Sequence, residues 1–173
     1  MAITEQSLNW DYDGPIMEVT GLEKHFPQNT GIIHQLIGGE TSHVKAVDGV
    51  DMAIERGETM GLVGESGCGK STLGEVLIGL QEPTGGSIKF LGTELESMSD
   101  SQRKEFRRNV QMIFQDPYES LNPRFSVEQW IREPLEVHDI DNQDERIYEA
   151  LERAELTPPE NYINEHPHDL SGG

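Results

Sequence analysis

Apolar positions along this chain follow two different periods, and the switches between them predict an α/β core followed by helices. Ile16-Met17-Glu18-Val19 is short and mostly apolar, which predicts a strand, and Gly21 to Pro27 leads the chain out of it. Val44, Ala46, Val50, Met52 and Ile54 mark a second strand, broken at Asp48-Gly49. Thr59-Met60-Gly61-Leu62-Val63 reads as a buried strand, and Leu73, Val76, Leu77 and Leu80 then recur at helical spacing. Pro83-Thr84-Gly85-Gly86 turns the chain into a strand over 87–90, and Val110 to Phe114 predicts another.

Three helix starts carry a serine or asparagine with a glutamine or glutamate three residues on, the spacing of a capping box. They are Ser99 with Gln102, Ser126 with Gln129, and Asn142 with Glu145. The first opens a short helix through Arg108. The second carries Val127, Trp130 and Ile131 until Pro134 ends or kinks it; Trp130 is read as core there. The third presents Ile147, Ala150, Leu151 and Ala154 on one face and closes at Pro158-Pro159. The expected organisation is a flexible leader over 1–14, an α/β core over 15–117 and a helical lobe over 118–173. Residues 28–43 form a loop insertion rich in Gly, Thr, Ser, Gln and His. The pattern does not say whether Trp10 and Tyr12 pack.

Composition alters the picture in one respect. Among 173 residues, 32 acidic side chains face 13 basic ones, for a formal net charge of −19. Such a chain is a poor ligand for nucleic-acid backbones. Dense carboxylates suit a protein adapted to molar salt, which screens their repulsion. A melting temperature indifferent to molar KCl would refute that adaptation. One cysteine, Cys68, excludes an internal disulfide and fits a reducing compartment. No stretch has the apolar length of a membrane span, and the polar N-terminus lacks a signal pattern, so the expectation is cytosolic.

The candidate chemistry sits between the buried strand and the helix. Gly64-Glu65-Ser66-Gly67-Cys68-Gly69-Lys70-Ser71-Thr72 fits G-x-x-x-x-G-K-[S/T] in the strand–turn–helix context that gives the pattern meaning. Glycines let the backbone wrap a polyphosphate, with N–H groups and the positive end of the helix aimed at it. Lys70 is expected on the β- and γ-phosphates, Ser71 on Mg²⁺, and Thr72 on a further phosphate oxygen. The loop alone allows kinases, GTPases, helicases and transport ATPases. Three stretches narrow the choice. Gln115, directly after a strand, can touch both Mg²⁺ and an attacking water. Phe26 offers an aromatic face to a purine. Leu170-Ser171-Gly172-Gly173 offers a hydroxyl and free N–H groups to a phosphate.

With these stretches in order, the sequence resembles the ATP-binding cassette (ABC) family over about residues 16–173. Lys70, Gln115 and 170–173 fall at its Walker A, Q-loop and signature motifs, and Phe26 at its adenine-stacking aromatic. Val44-Lys45-Ala46-Val47-Asp48-Gly49-Val50, Phe114-Gln115-Asp116-Pro117-Tyr118 and Ser120-Leu121-Asn122-Pro123-Arg124 are similar to the ATPase subunits of oligopeptide and dipeptide importers. Nickel and glutathione importers share much of this wording.

The resemblance implies an α/β P-loop core with an inserted helical lobe, the C-terminal part of the domain being absent. It implies ATP and Mg²⁺ as ligands, with Lys70 and Gln115 catalytic. A second ABC ATPase subunit, identical or related, would present its Ser171, Gly172 and Gly173 to the γ-phosphate on Lys70. Integral membrane permease subunits would dock near Gln115 to Arg124, at the cytoplasmic side of the membrane. The family's Walker B carboxylate and catalytic glutamate lie after the signature, so these residues are expected to be the front of a longer ATPase and not to hydrolyse ATP by themselves. Two other readings remain open: a non-hydrolysing ATP-binding or regulatory module, and a soluble ABC ATPase outside transport.

Cys68 lies where N–H groups and Lys70 gather and is expected to be reactive without being catalytic. His166 and His168, separated by Pro167, predict a structural turn rather than a metal pair. Asp116 before Pro117 reads as a turn residue, and Arg103, Arg107 and Arg108 as a solvated basic helix face.

Overall fold

A computed structural model describes residues 7–28, 43–115 and 121–170. The chain divides into two compact units, Met1–Gln111 and Met112–Gly173.

The first unit is organised on a four-stranded antiparallel sheet in the order β2-β1-β3-β4. Its strands are β1 (Met17–Pro27), β2 (His43–Ile54), β3 (Gly85–Phe90) and β4 (Thr93–Glu94). β1 is longer than the apolar pattern predicts, because the stretch read as a lead-out pairs with β2 as far as Pro27 opposite His43. A register shift between Val19 and Leu22, with Gly21 at φ +55°, carries the ladder across the break in alternation. β2 likewise runs through Asp48-Gly49, with Gly49 at φ +73°. The helices α1 (Lys70–Leu77) and α2 (Asp100–Asn109) belong to this unit. Leu73 and Val76 of α1 and Phe106 of α2 join Val19, Leu22, Ile88 and Phe90 in its buried core. The Ser99 capping box forms in full, with Gln102 N–H donating to the serine oxygen.

Residues 7–14 correct the expectation of a flexible leader. Leu8 is buried in the core, and its N–H donates to the Glu105 carboxylate 2.9 Å away. The Trp10 indole N–H donates to the same carboxylate, and its ring meets Phe90 edge-on at 6.1 Å. Arg56 donates to the Trp10 carbonyl at 2.8 Å, and Tyr12 packs against the core. One carboxylate with two donors and a wedge of aromatic surface hold the segment, which a polar, acidic sequence does not advertise.

Two predicted strands do not form. Residues 59–63 and 110–114 carry no strand hydrogen bonding, and Val63 and Ile113 are 95% and 96% exposed. A strand is made by its ladder partner as much as by its own side chains. Among the described residues none pairs with either segment. Both apolar runs are there, but no described residue is the neighbour that would turn them into buried sheet.

The second unit contains α3 (Val127–Val137) and α4 (Gln143–Arg153). α3 begins with the predicted Ser126 box, and its first N–H groups are taken up by backbone carbonyls. Val127 donates to Glu165 O at 2.9 Å and Glu128 to Ile163 O at 3.0 Å. Pro134 lies inside the helix instead of ending it. In the last turn it removes one backbone donor and the helix closes one residue before His138. Asn142 does not form the predicted box. Its backbone is left-handed (φ 56°, ψ 43°) rather than extended as at a capping residue, and its side chain makes no cap hydrogen bond. Ile147 and Leu151 are buried with Val127, whereas Ala154 is exposed. Trp130 is half-buried; it packs edge-on to Phe125 at 5.9 Å, and its buried indole N–H meets no acceptor among the described residues.

Candidate nucleotide-phosphate site

The phosphate loop folds against the edge of β2. Gly67 and Gly69 have φ +79° and +95°, and Gly69 directly precedes α1. A Cβ built on Gly69 would come within 1.9 Å of the Ala46 carbonyl oxygen, and one on Gly64 within 2.7 Å of Cys68 Sγ. Gly69 thus needs glycine on backbone angle as well as space, whereas at Gly64 the obstacle is a side-chain sulfur. The close approach brings the loop into contact with β2. A concavity of ≈ 260 Å³ results, lined by Val44, Lys45 and Ala46 from the strand and by 67–72 from the loop and first helical turn.

The helix supplies donors to that concavity. Its first backbone bond runs from Leu73 N–H to Gly69 O, at 2.8 Å, so the N–H groups of Lys70, Ser71 and Thr72 have no acceptor within the helix. The Lys70 ammonium donates to the loop carbonyls of Gly64 (2.9 Å) and Glu65 (2.6 Å) and lies 3.6 Å from Cys68 Sγ. The lysine is therefore aimed back over the loop and not into solvent. Ser71 and Cys68 are exposed at the concavity. This donor set, a glycine backbone with a cation and a hydroxyl, fits a polyphosphate and its Mg²⁺.

Phe26 reaches the same neighbourhood through the β ladder, since it stands opposite Val44, which lines the concavity. The ammonium of Lys24 lies 5.2 Å from the centre of its ring and donates to Glu82 O at 2.7 Å. Phe26 and 64–72 are thus gathered in the first unit. Gln115 is exposed at a bend in the second unit. Ser171, Gly172 and Gly173 lie outside the described residues, as do Asp116 to Ser120 and 29–42 of the insertion.

Sequence reasoning passed over the β2 side of the site. Lys45 donates to both carboxylate oxygens of Asp48 (3.2 and 3.1 Å), and His25 Nε2 lies 2.9 Å from Asp48 Oδ1. Lys45 and the imidazole hold the Asp48 carboxyl below its usual range, the hydrogen bond from Lys45 contributing most. The signal was present in the Val44-to-Val50 stretch, but only as likeness to a family. The rings of His166 and His168 stack at 5.6 Å, and His166 Nδ1 lies 3.1 Å from Phe125 O. No cluster of three or more metal-ligating side chains occurs among the described residues. Arg103, read as solvated, donates to Leu95 O at 3.1 Å.

A glycine cradle at a helix start, with donors aimed into a concavity, is the phosphate-binding element of P-loop folds, here packed against the edge of an antiparallel sheet. Comparison with solved structures agrees. The dimeric ATP-binding cassette MJ0796, bound to ADP and Pi, matches with a TM-score of 0.70 at 23% identity, over 90% of this chain and 63% of that one. A family model described as ABC transporter matches residues 47–173, and the chain belongs to that family.

Among named relatives, the oligopeptide transport ATP-binding protein AppF of Bacillus subtilis (strain 168) is 42% identical, and OppF of Escherichia coli (strain K12) is 41% identical. Each alignment covers 91% of this chain and 47% of the relative. The di/tripeptide transport ATP-binding protein DppF of Pseudomonas aeruginosa (strain UCBPP-PA14) is 39% identical, over 91% of this chain and 48% of its own length. The chain spans about half the length of the curated relatives it matches.

Proposed function

We propose that this chain is the ATP-binding part of an ABC importer subunit that drives peptide uptake. The observation that carries the reading is the Gly69–Ala46 contact, which shapes a donor-lined concavity where the loop enters α1. In it the N–H groups of 70–72 and the Lys70 ammonium hold the phosphate tail, and Ser71 binds Mg²⁺. To do so Lys70 exchanges the carbonyls of Gly64 and Glu65 for phosphate oxygens. Phe26 stacks on the base, and Gln115 contributes from the second unit as Mg²⁺ ligand and water-positioning group. ATP supplies the free energy released when its γ-phosphate passes to water, in the whole protein.

The named peptide transporters among the relatives support peptide as the solute. The dimeric cassette among the solved structures supports pairing with a second ABC ATPase subunit, identical or related, across Ser171, Gly172 and Gly173. No helix among the described residues is long and apolar enough to cross a membrane, so the reading assigns that task to permease subunits, with this chain peripheral on the cytoplasmic side. The charge of −19 supports adaptation to high salt and speaks against a nucleic-acid partner.

ATP titration of the natural full-length protein and its Lys70→Ala variant tests the site. A loss of affinity of about 1.5–3 kcal/mol, that of a charge-assisted hydrogen bond, is expected. Unchanged affinity would show that the loop does not bind nucleotide.

A further inference from the structure

The chain has five lysines; two of them, Lys45 and Lys70, line the candidate nucleotide concavity, and a third, Lys24, lies beside Phe26. In a chain where acidic residues outnumber basic ones 32 to 13, such a concentration of ammonium groups points to an anion. Lys70 belongs to the phosphate-loop pattern, and Lys24 is committed to the Phe26 ring and the Glu82 carbonyl. Lys45 has no role yet.

We infer that Lys45 is a second phosphate-binding cation, held by Asp48 and handed over to the nucleotide when it enters the cradle. Three observations carry the inference. Lys45 lines the same concavity as the loop and the first turn of α1. Its backbone is placed there by the adjacent residue, because Ala46 O is the atom against which Gly69 packs. Its ammonium is exposed, with a side chain 59% accessible, and its recorded partner is a carboxylate that accepts from His25 as well. Asp48 therefore keeps one hydrogen-bond partner, the His25 imidazole, when Lys45 leaves, which lowers the cost of the exchange. A phosphate tail offers Lys45 more negative charge than one shared carboxylate does, and an ammonium on a flexible stem can follow it.

The inference rests on the nucleotide reading above and is tested beside it by titrating ATP and AMP into the natural full-length protein and its variants. Lys45→Ala is expected to weaken ATP about tenfold and AMP less, since the tail phosphates are what it meets. Asp48→Asn is expected to strengthen ATP about threefold, by releasing Lys45 from its competitor. The double variant is expected to fall to the level of Lys45→Ala. A lysine that merely braced β2 through Asp48 would predict the reverse for Asp48→Asn. Lys45→Arg, which keeps the charge, is expected to retain most of the affinity and guards against a folding artefact. If Lys45→Ala keeps ATP affinity within about twofold while Lys70→Ala loses it, the role of Lys45 is overturned and the nucleotide site stands. If Lys70→Ala also binds normally, both are overturned together.

Discussion

The two units are held together in different ways. In the first, a single buried cluster runs from Leu8 through β1, β3, α1 and α2 to Phe106, with Leu22 and Val76 fully enclosed. In the second, the buried apolar cluster among the described residues is Val127, Ile147 and Leu151, with partly covered neighbours around them, and Pro159 and Pro167 are buried beside short turns. Polar ties do more of the work there: the Ser126 box, the carbonyls of Ile163 and Glu165 on the start of α3, and Arg132. That guanidinium donates to Glu128 of its own helix at 2.6 Å and to Asp144 of α4 at 2.7 Å, which raises its pKa further. The candidate phosphate cradle stands on the apolar unit. A site that must keep Gly69 within touching distance of Ala46 needs a base that does not shift. The second unit is stitched in part by exposed bonds, those of the Ser126 box and of Arg132 to Asp144, which open at lower cost.

Truncations break this comparison most sharply. Leu22→Ala should destabilise the first unit by about 3–5 kcal/mol, because a fully enclosed site cannot collapse around the void. Ile147→Ala in the smaller cluster should cost about 2–3 kcal/mol, since half-exposed neighbours can move in. Chemical denaturation of both variants measures the two values, and equal costs would remove the distinction. Ser126→Ala sharpens it at smaller scale, with an expected loss of about 1 kcal/mol and faster amide exchange confined to the start of α3. Protection lost equally in β1 would show that the two units unfold as one.

Acid gives the smallest effect, at the rim of the cradle. The folded Asp48 carboxyl titrates below its ordinary value of 3.8, chiefly through Lys45 and then His25. A depressed carboxylate contributes stability in full above that ordinary value and loses it as pH falls through the lower, folded one. Stability curves of the parent protein and Asp48→Asn should therefore run apart by a constant amount above about pH 4 and converge below it. A gap that persisted in acid would mean that Asp48 acts through something other than its charge.

How much was legible in advance differs by region for the same physical reason. The glycine loop before α1 was legible as a motif because its letters lie close together: glycines at 64, 67 and 69, then one lysine and one hydroxyl at the start of a helix. The Ser99 and Ser126 boxes were readable for that reason too, being hydrogen bonds across three residues. Asn142 had the right letters, but its left-handed backbone, which letters do not encode, withdrew the cap. Trp10 and Leu8 could not be placed, because their partner Glu105 is more than ninety residues away. Lys45 went unremarked because Gly69, which brings it to the cradle, belongs to another element.

By itself, then, the sequence determined the elements whose stabilising contacts lie within a few residues of one another: the loop, two capped helices, and the alternation of β2 and β3. Tertiary structure decided which apolar runs became strands. Met17 to Pro27 found neighbours on both sides and paired along its length, while 59–63, just as apolar, remained exposed. A strand's hydrogen bonds belong to two segments at once, so no single stretch of sequence can promise them.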